Sequence, residues 1–187
     1  MAAPLYIAFF KPYGILSQFT SDNMSETLSV FNLPKDVYPV GRLDKDSEGL
    51  LILSNDGVFI EKLLNPVFDK EKNYWVQVEN IPTEESLNVL RAGGVAIQDY
   101  KTKPAKVKIL DPRPEISERN PPVRFRLSVP TCWLEIKISE GKNRQVRRMT
   151  ASINHPTLRL IRMQVGKYML GNLQPGEWVS IKKSDVL

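Results

Sequence analysis

Beyond residue 94 the chain is cut into short apolar runs: VAI at 95–97, AKVKIL at 105–110, VRFRLS at 123–128, WLEIKI at 133–138, LRLIRMQV at 158–165 and WVSI at 178–181. Runs of this length, rich in Val, Ile and aromatic residues and bounded by Pro, Gly and Asn, predict strands rather than helices. Earlier in the chain, LYIAFF at 5–10 and LLIL at 50–53 are apolar without alternation, the pattern of strands covered on both faces, and YWVQV at 74–78 alternates. Helical spacing is confined to three places. Residues 56–64 open on Asp-Gly and end at Asn65-Pro66, residues 82–92 carry acids in the first turn and stop at Gly93-Gly94, and residues 144–153 place Val146, Met149 and Ile153 on one face. Strands that follow one another with few helices between them predict an α+β chain, not a doubly wound parallel sheet. Length allows one domain, or two subdomains sharing a cleft with a weak boundary near 92–104.

Composition narrows the chemistry. A single His (His155) and a single Cys (Cys132) leave little for zinc, for a Cys-His pair or for a Ser-His-Asp triad, so reactivity must rest on carboxylates, Arg, Lys or Tyr. His155 precedes Pro156 and reads as a turn residue. Cys132 reads as inert. No leader with a cleavage site opens the sequence and no apolar stretch approaches the length of a membrane span, so a cytoplasmic, membrane-free protein is expected. The net charge of +5 is unevenly spread: residues 1–93 carry 8 basic and 13 acidic side chains, and residues 94–187 carry 18 and 8. A basic half of this kind suits a polyanion, because clustered cations release counterions from phosphate.

Three constellations stand out. GRLDKDSEGLL (41–51) places Asp44, Asp46, Glu48 and Gly49 where a calcium loop has positions 1, 3, 5 and 6, but position 12 would be Asn55 and not the required Glu. A loop acid held by a following apolar strand can instead act as nucleophile or base, or simply cap a turn or pair with Arg42. EGKNRQVRRM (140–149) sets Arg144, Arg147 and Arg148 opposite the apolar helix face, with Gly141 and Asn143 at a helix start suited to phosphate. KNYWVQV (72–78) places Tyr74 and Trp75 on opposite faces of a strand, where one ring could stack on a base.

Taken in order, GRLD with its acid-Ser-x-Gly-Leu-Leu sequel, K-x-Y, G-x-x-R-Q-V-R-R-M, LRLIRMQVG and a late L-x-P-G-E-W resemble the RsuA-type branch of the RNA pseudouridine synthases along nearly the whole chain. The small RNA-binding module that precedes the catalytic part in many relatives is expected to be absent. The resemblance implies the pseudouridine synthase fold, a mostly antiparallel mixed sheet flanked by helices around a central cleft. It implies isomerisation of uridine to pseudouridine in large-subunit ribosomal RNA by a monomer that needs no cofactor and no metal. Residue by residue, it implies that Asp44 is the catalytic aspartate, Arg147 its ionic partner and Tyr74 the ring that stacks on the flipped-out uracil. It further implies RNA contacts at Arg42, Lys142, Asn143, Arg144, Gln145 and Arg148, and a pocket lined by Leu160 and Arg162. A silent RNA-binding assembly factor on the same fold is the alternative, although such a relative would have lost Asp44. A carboxylate-pair hydrolase using Asp44 and Glu48 leaves the basic helix unexplained.

Overall fold

The computed structural model describes residues 3–124, 126 and 128–187. Two compact units emerge, one from the described residues up to Lys70 together with Arg162–Leu187, the other Glu71–Ile161. The 92–104 stretch lies inside the second. Among the described residues no helix is long and apolar enough to cross a membrane.

In the first unit β1 (Tyr6–Lys11) pairs antiparallel with β3 (Glu48–Ser54), with Ile7 opposite Leu53 and Phe9 opposite Leu51. Every residue of β3 is buried, which accounts for its unbroken apolar run. Strand β2 (Tyr38–Pro39) pairs with β3. Between β1 and β2, Asn23 and Thr27 cap two single 3₁₀ turns, Met24–Glu26 and Leu28–Val30, and Leu28 is fully buried. Helix α1 (Gly57–Leu64) starts where Asp56 accepts a hydrogen bond from the Phe59 N–H, and it buries Phe59 and Leu63, one turn apart.

In the second unit β4 (Lys72–Glu79) leads into α2 (Glu84–Ala92), capped by Thr83 and buried through Leu87 and Leu90. The hairpin β5 (Ala96–Ile97) and β6 (Tyr100–Lys101) follows. Then come β7 (Lys106–Ile109) and β8 (Thr131–Ile138), the latter pairing with both β7 and β4 so that Ile136 faces Val107 on one side and Tyr74 on the other. Helix α3 (Gln145–Ser152) precedes β9 (Thr157–Val165), of which residues 157–161 belong to this unit and residues 162–165 to the first. Strand β10 (Tyr168–Met169) pairs with β9, β11 (Trp178–Ser180) with β1, and α4 (Lys183–Val186) ends the chain. This is the expected α+β architecture.

Two expectations change. The strand at 123–128 is not formed by Val123, Arg124, Arg126 or Ser128, and residues 125 and 127 lie outside the described residues. Pro121 and Pro122 supply no N–H to a ladder, and the Arg119 guanidinium donates to their carbonyls at 2.8 and 3.1 Å instead. The helix expected over 144–153 starts one residue later, because Arg144 takes a left-handed conformation (φ 50°) at its N-cap. Arg144 therefore leaves the helical face shared by Arg147 and Arg148.

Candidate active site

In the first unit the GRLD segment is a loop fixed by backbone contacts. The Ser17 hydroxyl donates to the Leu43 carbonyl at 2.9 Å and accepts from the Leu43 N–H at 3.0 Å. The Ser47 N–H closes a turn onto the Asp44 carbonyl at 3.0 Å, and the Gly14 N–H donates to the Lys45 carbonyl at 2.8 Å. Leu43 is buried, Arg42 exposed and Asp44 half-buried, so the loop anchors its apolar member and leaves the acid partly open to solvent. A carboxylate held this way loses little freedom on meeting a substrate. Arg162, on β9, is 5% exposed and donates from Nε to the Leu50 carbonyl at 2.8 Å, so it braces the strand that follows the loop. Among the described residues no group of three or more His, Cys, Asp or Glu side chains is placed to hold a metal ion.

Lys11 is the residue whose importance the sequence hides. It reads as the charge that stops the first apolar run, yet its side chain is fully buried, with Nζ donating to the carbonyls of Pro12 at 2.9 Å and Ile15 at 2.6 Å. Burial pushes its pKa down to about 7, against the opposing pull of Glu48, Asp46 and Asp44. Its ordinary value is 10.5, so between these limits the unfolded chain binds a proton that the native chain has shed, and stability rises with pH. Measured against Lys11→Met by chemical denaturation, the wild type is expected to gain about 1 kcal/mol per pH unit from about pH 7.5 to 9.5. A difference that stays flat across that range would mean the buried amine keeps its proton.

In the second unit Tyr74 sits on β4, 7% exposed, and Leu160 on β9 is 5% exposed. Helix α3 packs by Val146, Met149 and the following Ile153, as its spacing predicts. Arg147 Nη1 reaches the Thr157 carbonyl at 3.5 Å, and Arg148 Nη2 donates to the Asn143 side chain at 3.1 Å. Gln145, expected at the RNA surface, is 3% exposed: its amide donates to Glu140 and its oxygen accepts from the Lys142 N–H at 3.0 Å. That N–H is therefore engaged inside the turn. Lys142, Asn143 and Arg144 are exposed. Arg42, Asp44 and Arg162 thus belong to the first unit, and Tyr74, Leu160 and the 142–148 segment to the second. His155, read from the sequence as a turn residue, follows the turn at Ile153 and Asn154, and its Nδ1 lies 2.9 Å from the Glu79 carbonyl.

A family model described as RNA pseudouridylate synthase matches residues 5–152, a span that holds Asp44, Tyr74 and Arg147. The chain belongs to the RNA pseudouridylate synthase family. A protein of Vibrio parahaemolyticus named Ribosomal large subunit pseudouridine synthase E is 54% identical over 176 residues, covering 94% of this chain and 73% of that protein. One of the same name from Xanthomonas axonopodis pv. citri is 54% identical over 167 residues, 88% of this chain and 87% of its own length. Among solved structures, a pseudouridylate synthase crystal structure matches with a TM-score of 0.80 at 26% identity, covering 100% of this chain and 74% of that one.

Proposed function

We propose that the chain isomerises a uridine of large-subunit ribosomal RNA to pseudouridine, in the cytoplasm, as a monomer and without a cofactor. The observation that carries this reading is the loop at Asp44, an acid held by the Ser17–Leu43 hydrogen bonds inside a segment that matches the family model. In the reaction the N1–C1′ bond breaks, the uracil turns and a C5–C1′ bond forms. The proton lost from C5 is balanced by one gained at N1, so no redox partner is required. Asp44 supplies the acting carboxylate, Tyr74 the ring that stacks on the uracil, and Arg147 the cation that keeps an aspartate ionised. Arg42, Lys142, Asn143, Arg144 and Arg148 offer charge and hydrogen bonds to the RNA. Removing a base from its stack costs a few kcal/mol, which stacking and phosphate contacts must offset.

The test is carbodiimide primer-extension mapping of ribosomal RNA from cells lacking the protein. Loss of pseudouridine at one large-subunit site, restored by the wild-type gene, is the expected result. Persistence of every site would favour the silent RNA-binding reading. Tyr74 has its own test, since Phe keeps the ring and Leu does not. Tyr74→Phe is expected to turn over within about fivefold of wild type and Tyr74→Leu at about a hundredth of it or less, each step of stacking being worth roughly 1–3 kcal/mol. Equal rates in the two variants, both folded by thermal melt, would remove Tyr74 from the reaction.

A further inference from the structure

Glu140 sits at the centre of a cluster for which the reaction above has no use. Its side chain is 8% exposed. Its Oε1 accepts from the Tyr100 hydroxyl and from the Lys103 N–H at 3.0 Å, while its Oε2 accepts from the Gln145 amide. Gln145 in turn holds the Lys142 N–H. Both carboxylate oxygens are therefore engaged, by donors from two stretches some forty residues apart: the end of the β5–β6 hairpin, and the turn that leads into α3. A buried carboxylate satisfied in this way fixes the groups around it, because releasing any of them leaves a desolvated polar atom unpaired. The hydrogen bond to Glu140 also pushes the Tyr100 hydroxyl pKa upward, as a bond to a carboxylate should.

The same tyrosine does a second thing. Lys142 Nζ lies 4.5 Å from the centre of the Tyr100 ring, a cation–π contact that limits a side chain otherwise rich in rotamers. Lys101 and Lys103 leave the hairpin beside it, and all three lysines are exposed. Between residues 94 and 110 the chain carries one acid, Asp99, against four lysines. The tyrosine ring already underlies a cation, so the cluster is not a platform for a base. Exposed lysines on the two stretches that Glu140 joins suit the backbone of a nucleic acid, which takes point charges without regard to sequence.

We propose that Glu140 is a positioning residue that clamps the β5–β6 hairpin to the turn before α3, so that Lys101, Lys103 and Lys142 present one edge to the phosphates of the substrate RNA. The inference rests on the RNA-modifying activity proposed above and deepens it, adding the hairpin to the binding surface. Its test is a salt titration of the full chain with unmodified large-subunit ribosomal RNA transcribed in vitro, paired with steady-state kinetics. Lys101→Ala and Lys142→Ala, which leave the hydrogen bonds of Glu140 in place, are each expected to lower the slope of log affinity against log salt by about 0.7–0.9. Glu140→Gln and Tyr100→Leu are expected to raise KM about fivefold to tenfold, with kcat at saturating RNA changed less than twofold. Tyr100→Phe, which keeps the ring under Lys142 and loses only the hydroxyl, should fall between these and wild type. Unchanged slopes in both lysine variants would overturn the proposal while wild type still binds with a steep slope. Variants of Glu140 and Tyr100 that lose kcat with KM unchanged would overturn the positioning role. Wild type that forms no pseudouridine in that RNA would instead sink the RNA-modifying reading on which the proposal rests.

Discussion

Asp44→Asn is expected to lower turnover on large-subunit ribosomal RNA about a thousandfold or more while affinity for that RNA changes less than about threefold. The amide has the shape of the carboxylate but is neither a base nor a nucleophile near neutral pH, and removing such a group costs a large part of its catalytic contribution. The hydrogen bonds between the Ser17 hydroxyl and the Leu43 backbone, and the backbone bond from Ser47 to Asp44, use no atom that the substitution changes. A folded variant with intact binding and no turnover therefore separates chemistry from recognition. Turnover within tenfold of wild type would overturn the assignment of Asp44, and a parallel loss of affinity would make it a binding group.

How far the sequence reveals this architecture depends on whether a residue's partners are near it in the chain. Strands β3, β4, β8 and β9 are legible because each is at least seven residues long and apolar enough to declare itself, and their ends move by only one or two positions. Of the two-residue strands, β2, β6 and β10 carry no period in the sequence, and only their partners make them strands. Asp44 and the Arg147–Arg148 pair are legible as motifs. Lys11 is not, since a charge at the end of an apolar run is ordinarily solvated, and what buries this one is a loop that curls back to offer two carbonyls. Gln145 misleads for the opposite reason. Standing among arginines it reads as a surface contact, but Glu140, five residues earlier, draws it inside. The tie from Glu140 to Tyr100 spans forty residues and leaves no local pattern at all.

Gly49 shows how a motif can be visible while its reason is not, and it carries the second large prediction. In the run DKDSEGLL it stands where a calcium loop keeps its glycine, but the structure gives it different work. Its φ is +104°, and a Cβ built there would lie 2.4 Å from the Arg162 carbonyl oxygen and 2.6 Å from the Arg162 nitrogen. Both are backbone atoms of the neighbouring strand, so neither can swing away as a side-chain tip would. Gly49→Ala must either adopt a backbone conformation that an L-residue disfavours or push β9 away from β3, and the second course also strains the Arg162–Leu50 hydrogen bond. Misfit of this kind ranks among the costlier single substitutions, on the order of 3–4 kcal/mol, which for a chain of this length lowers Tm by roughly 10 °C. Gly57→Ala is the control, because a Cβ at Gly57 meets nothing within 4 Å and the position is helical. It should hold or slightly raise Tm, helix propensity favouring Ala by up to about 1 kcal/mol. Equal melting temperatures for Gly49→Ala and wild type would show that β3 and β9 yield at this point, and the GRLD loop would then lack the rigid strand on which its placement of Asp44 depends.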